Sequence, residues 1–418
     1  MAGDSMENDF GARAAGSPQP PVPVPPAPLM SRLIIGRALW LTVHKYIGLF
    51  AGAIFVLIGL TGSILAFGSQ IDTWLNTGLM SVDVPAEAQA QYRRIAEILA
   101  AGKRAVPRSG NLDPLVLFPR RPGACFMLTY SMPAGPNRSK TYQIFVNPYT
   151  ATVTGQRLAS DTGNPFARPL METIASFHYT LLLGNRGETA VGFIGLLLFG
   201  SLASGIVLFW PWAGRWRQAL TIKWGATQER VILDLHRTTG VYACLLLSIT
   251  LFSGVYMIFK PQVRAVVDLF SPVHFNQMPV LKSEPRNAGA PLGPDTVAAI
   301  VDRSVPDGEL TMMELPEMDD DVYVVGKRAP DEVNFADAQR RLVVDQYSGK
   351  ILYIQDPHRF TAGEKFLEWQ YPLHCGEAFG NTGRALIMVL GLVTLTLYVT
   401  GFLRWRQKQR ARKTLGAG

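Results

Sequence analysis

Four uncharged apolar stretches, 46–67, 189–212, 238–259 and 385–403, interrupt an otherwise mixed chain. Each meets the roughly 20 residues that a helix needs to cross a ~30 Å hydrocarbon core. A bilayer interior offers no water to backbone groups, so these stretches must be helices. Between the first and second, and again between the third and fourth, lie long polar segments of about 70–165 and 261–360. Here the pattern changes to alternation. Residues 142–153 place Tyr142, Ile144 and Val146 on one face, turn at Asn147-Pro148, and resume alternation to Val153. Residues 342–351 do the same around Tyr347-Ser348-Gly349. Two alternating runs around a turn read as a hairpin. Helical patterns at 86–101 and 295–303 precede them.

The pattern therefore predicts a polytopic α-helical membrane protein, with four transmembrane helices as two parallel pseudo-repeats and two α+β domains outside. The expected boundaries are a tail at 1–30, spans at 31–68, 189–212, 235–260 and 382–404, outer domains at 69–168 and 261–362, and a loop at 213–234. Interfacial segments fill 169–188 and 363–381, and a basic tail 405–418. From His178 to Trp210 one helix would run about 48 Å, longer than the membrane. The Gly184-Asn185-Arg186-Gly187 run is the natural break. Residues 169–183 are then an interfacial amphipathic helix with 181–183 inserted. Residues 363–379 are its partner, where Trp369 and Tyr371 fit an interfacial belt.

The two halves repeat each other in detail. His44 and Gly48 match His236 and Gly240, and Gly62 matches Gly254, all at an offset of 192 residues. His178, Gly184, Gly187 and Gly205 match His374, Gly380, Gly383 and Gly401 at an offset of 196. Four of the six histidines thus form two matched pairs. Parallel repeats are related by an axis along the membrane normal, which brings equivalent residues to the centre.

Charge fixes the expected orientation. The net charge of +8 gathers beside three span ends: Arg32, Arg37 and Lys45; Arg215, Arg217, Lys223 and Arg230; and Arg404 to Lys413. The positive-inside rule puts all three in the cytoplasm, with both termini inside and both insertions outside. Basic patches against spans face lipid headgroups, so no nucleic-acid partner is expected. The Pro-, Ala- and Gly-rich residues 1–30 lack a signal-peptide core and read as a disordered tail. Cys125, Cys244 and Cys375 show no CxxC spacing. Cys244 falls mid-span; a Cys125–Cys375 disulfide stays open.

Ionisable groups at membrane depth are costly and functional by default. His44 and His236 open the first span of each half, near the inner face; His178 and His374 lie near the outer face. Zinc wants three or four protein ligands, and the apolar spans supply no carboxylate. Haem iron needs only axial ligands, for which histidine is common. Gly48 and Gly52, and Gly240 and Cys244, follow His44 and His236 by four and eight residues and share their helix face. They leave room for a porphyrin, or equally serve as small helix-packing positions. The readings left open are two bis-histidine haem b sites, structural hydrogen-bonding histidines, and a bare metal site. Lys45 and Arg237 suit haem propionates or lipid phosphates. Arg186 and Arg384 are weaker candidates, and His274 and His358 have no counterpart. No GxGxxG turn follows a strand, so a membrane quinol or a cytoplasmic reductase must supply electrons.

At His44-Lys45-Tyr46-Ile47-Gly48, His236-Arg237-Thr238-Thr239-Gly240, the fragments ending near Thr154 and Leu352, and His374 with Gly383, the chain resembles the PepSY-associated transmembrane family, over about 32–406. That family includes inner-membrane proteins of the FoxB type. The resemblance implies a dihaem reductase in the bacterial inner membrane that releases iron from ferric siderophores in the periplasm. It implies His44, His236, His178 and His374 as haem ligands and PepSY-like outer domains facing the siderophore. Arg120, Arg121, Tyr130, Trp369 and Tyr371 are candidate docking residues. A non-redox membrane protein binding or regulating a periplasmic partner is the alternative. A transporter is disfavoured by four spans without charged residues.

Overall fold

The computed structural model describes residues 29–86, 91–210, 214, 216–274, 280–284 and 290–415. Most of the expected tail, and Arg215, lie outside these. Among the described residues four helices are long and apolar enough to cross a membrane: Gly36–Leu65, within a longer helix Leu29–Leu65, then Gly184–Phe209, Gln228–Ile258 and Glu377–Thr414. The first packs on the second and fourth, and the third packs on the same two. The bundle is thus a square with the first and third helices on one diagonal, and each diagonal joins equivalent helices of the two halves.

The second and fourth helices begin earlier than their uncharged cores suggest. The Leu170–Thr180 helix ends at Leu181 and Leu182, both at positive φ (51° and 60°), and Gly184 at φ 58° restarts the chain as the second span. The break therefore falls on Leu181–Leu183, just ahead of the glycine-rich run that predicts it. In the second half, the Gln370–Cys375 helix ends at Gly376 (φ 83°), and Gly380 (φ 59°) plays the part of Gly184.

The two insertions do not form separate domains. Each supplies four strands and a helix that packs on them, and all eight strands join one antiparallel sheet in the order β4-β3-β2-β1-β5-β6-β7-β8. The first four are Asn111–Leu117, Phe126–Gly135, Arg138–Val146 and Val153–Asp161; the last four are Glu309–Glu314, Val322–Arg328, Arg341–Asp345 and Ile351–Gln355. The seam is β1 against β5, with Leu115, Val116 and Leu117 opposite Glu314, Met313 and Met312. The expected hairpins at 142–153 and 342–351 are β3–β4 and β7–β8.

Helix Ile95–Ala105 covers the first half of the sheet through Ile98 and Ala101, over Val116, Phe126, Leu128 and Ile144. Helix Pro294–Ser304 covers the second half through Val297 and Val301, over Met313, Val325, Leu342 and Val344. Leu99, Phe118 and Leu315 touch both cores and make them continuous. The Asp295 carboxylate accepts the backbone N–H groups of Ile95 (2.7 Å) and Ala96 (3.1 Å), so one insertion caps the helix of the other. Arg157 of β4 pairs in a two-point bridge with Asp72 (2.9 and 2.8 Å), in the short helix after the first span. That bridge ties the sheet to the bundle.

Candidate functional site

The four matched histidines converge as two pairs. The His44 and His236 rings lie with centroids 6.1 Å apart and planes at 79°. The His178 and His374 rings repeat this at 6.1 Å and 67°. His44 and His236 reach across the diagonal from the first and third spans. His178 and His374 come from the short helices that precede the second and fourth spans and fold back against the first and third. On the first span, His44 and the contacts of His178 are separated by about 24 Å at 1.5 Å per residue.

Every imidazole is held the same way. Nδ1 lies 2.9 Å from Ser201 O in His44, 3.0 Å from Leu397 O in His236, 2.9 Å from Ile58 O in His178 and 3.0 Å from Thr250 O in His374. A hydroxyl sits beside each Nδ1: Ser204 at 3.1 Å, Thr400 at 3.0 Å, Thr61 at 3.2 Å and Ser253 at 3.0 Å. These hydroxyls already donate to carbonyls of their own helices, Ser204 to Ser201 O (2.6 Å), Thr400 to Thr396 O (2.7 Å), Thr61 to Leu57 O (2.9 Å) and Ser253 to Ile249 O (2.7 Å). Carbonyl and hydroxyl oxygens are then both acceptors, so Nδ1 carries the proton. Nε2 is left with its lone pair, the tautomer that a metal ligand requires.

Four glycines complete the cradle. A Cβ on Gly62 would lie 2.9 Å from Cε1 of His178, on Gly205 3.1 Å from that of His44, on Gly254 3.2 Å from that of His374, and on Gly401 3.3 Å from that of His236. Each histidine thus lies against a glycine of the neighbouring helix; a Cβ would force the His178 ring to shift and would crowd the other three rings by a few tenths of an ångström.

Metal–imidazole bonds are about 2 Å, so two such bonds and two ring radii span roughly 6 Å, the separation seen in both pairs. Among the described residues no group of three His, Cys, Asp or Glu side chains is placed to hold a metal ion. A bare ion would lack ligands here. A group that brings most of its own donors could be held here by one imidazole from each side.

The other candidates divide. Gly48 has open space where a Cβ would stand, and Gly240 makes only an ordinary contact, 3.6 Å to Leu397. Arg237 and Lys45 are not equivalent. Arg237 donates to Asp234 Oδ1 (2.9 Å), whereas Lys45 Nζ lies over the Tyr46 ring at 4.1 Å. Asp234 is fully buried and also takes Arg230 at 3.1 Å. It escaped the sequence reading, although its spacing to Arg230 and Arg237 suits helix ion pairs. Arg384 is committed to Glu377 (2.8 Å).

Docking by Tyr130 is excluded. It is 2% exposed in the sheet core, with its hydroxyl donating to Gln156. Arg120 donates to Ala336 O and Arg121 to the Ser81 hydroxyl. Trp369 and Tyr371 do present surface. Cys125 and Cys375 are both free, so the open disulfide is not formed. Cys125 lies by Thr154 in the sheet, and Cys375 by Pro372 O, next in sequence to His374.

The family model for the PepSY-associated TM region matches residues 41–408. No curated protein matches the chain.

Proposed function

The chain belongs to the PepSY-associated TM region family, and from that premise we propose that it is a dihaem inner-membrane reductase of the FoxB type, carrying electrons from a quinol or cytoplasmic reductase to ferric siderophore iron in the periplasm. The supporting observation is the twofold occurrence of facing imidazoles, 6.1 Å apart, with Nδ1 protonated onto a helix carbonyl and Nε2 unused.

Haem b, when bound between each pair, supplies a one-electron carrier whose potential the protein tunes through its axial ligands and their hydrogen bonds. This chain's residues do the rest. The carbonyls of Ser201, Leu397, Ile58 and Thr250 fix ring orientation and raise imidazole basicity. The glycines hold the ring edges. All four imidazoles are partly buried where the helices of the bundle meet. The basic residues Arg217, Lys223, Arg230 and Arg404 beside the His44–His236 end support a cytoplasmic side for that end by the positive-inside rule, with the sheet then on the periplasmic side. Ferric iron is gripped by hard oxygen donors, and reduction weakens that grip, so release needs an electron rather than bond cleavage.

Haem stoichiometry tests this directly. Purified protein should give two haems b per chain by pyridine haemochrome, both reducible by dithionite and reoxidised by a ferric tris-hydroxamate. Colourless protein from haem-replete cells would sink the reading and favour a non-redox protein that holds a periplasmic partner.

A further inference from the structure

A cavity open to solvent lies away from the histidine sites, between the second half of the sheet and the Ala362–Glu368 helix. It measures about 180 Å³ and is lined by Asp331, Glu332, His358, Lys365, Glu368 and Trp369 among others. Two of its carboxylates already have work. Glu332, 6% exposed, accepts the backbone N–H groups of Ala329 (3.0 Å) and Gln339 and pins the loop after β6. Asp331 stands 3.6 Å from His358 Nε2 at the open rim. Glu368 differs. It is 8% exposed and faces the cavity, and no hydrogen bond or ion pair reaches it from the described residues. Lys365, one turn back on the same helix, is exposed and does not close on it.

The Glu368 oxygens keep only the solvent contact that the cavity allows, and a largely desolvated carboxylate with no protein partner is costly unless something compensates it. Desolvation, then the charge of Glu332, push Glu368 up to about 7, with Lys365 opposing and Asp331 adding to the rise. The side chains are not placed to hold a metal ion. An anion would meet three carboxylates, and a neutral guest would leave Glu368 uncompensated. We propose that this cavity binds a compact organic cation, an alkylammonium group, with the Glu368 carboxylate as its counter-charge and the Trp369 indole beside it. An ammonium brings three N–H donors, makes charge-assisted bonds to a desolvated carboxylate and is attracted to an indole face. The site does not depend on the redox reading, because none of its residues belongs to either histidine pair.

Calorimetric titration of the detergent-purified full chain with n-butylammonium, and with 1-pentanol as a neutral control of similar shape, decides the matter. Saturable binding of the ammonium at pH 8, none of the alcohol, and at least a tenfold loss in Glu368→Gln are expected. Binding should weaken about tenfold from pH 8 to pH 6 as Glu368 protonates. His358 and Glu332 also face the cavity, so His358→Asn should keep that pH dependence and Glu368→Gln should lose it. Trp369→Phe keeps the carboxylate and should bind a few-fold more weakly, which guards against a folding defect in the glutamine variant. Equal binding of the alcohol, unchanged binding in Glu368→Gln, a pH response that follows His358, or tighter binding of Mn²⁺ at the same residues would each overturn the proposal.

Discussion

The histidines were legible because the two halves repeat them at matched positions beside apolar spans. Their partners were not. Ser201, Ser204, Ser253, Thr61 and Thr400 look like any helix hydroxyl, and only the fold shows that each meets an imidazole. The glycines at 62, 205, 254 and 401 were visible as matched positions, but their purpose depends on which helix lies opposite. That purpose makes a graded prediction. Gly62→Ala sets a Cβ 2.9 Å from the His178 ring and Gly401→Ala one 3.3 Å from the His236 ring. The first should disturb the outer haem's spectrum and potential clearly; the second should change the inner one little. Identical effects would mean that the glycines serve helix packing alone. Ser253→Ala removes one of two acceptors at His374 Nδ1 and should weaken outer haem binding by about tenfold. Glu368 carries a further consequence for stability. Its folded-state value of about 7 exceeds that of a solvated carboxyl, so the native state binds more protons between those limits. Stability should therefore fall as pH rises from 5 to 8, and Glu368→Gln should flatten that slope in thermal melts.

At the scale of elements, hydrophobic runs gave the four spans and alternation gave both hairpins. The seam between β1 and β5 was hidden, because strand order between distant insertions is set by tertiary packing rather than local pattern. The joint that folds the outer histidine helices back was half visible. A Cβ on Gly187 would lie 1.7 Å from Thr180 O, and on Gly383 2.2 Å from Gly376 O. Backbone cannot yield there as a flexible side chain can, so these glycines set the angle at which His178 and His374 enter the bundle. Gly187→Ala or Gly383→Ala should abolish the outer haem and spare the inner one, read as a fall from two haems to one per chain. Retention of two would mean that the joint is looser than its geometry. The Asp295 cap is a cheaper contact. Asp295→Ala should cost about 1 kcal/mol, as loss of an N-terminal helix cap does, and lower the melting of the sheet without touching the haem spectra.

The molecule as a whole sets one diagonal of a helix square at each end to the same task. The first and third spans hold the His44–His236 pair near the basic end and receive His178 and His374 near the sheet. About 24 Å of helix separates the two levels, so the sites are distinct structures that share a scaffold, and each should survive loss of the other. His236→Ala makes the sharpest use of this. The alanine leaves His44 tied to Ser201 O but facing no second imidazole, so the inner centre should be lost while His178 and His374 keep theirs. Such protein should hold one haem that dithionite reduces and a ferric hydroxamate reoxidises, yet a membrane quinol or cytoplasmic reductase should no longer reduce it. His374→Ala should give the converse: one haem filled from the donor side, with slow release to the ferric chelate. If both variants kept full electron flow, the pairs would not lie in series, and the two ends of the bundle would serve separate ends.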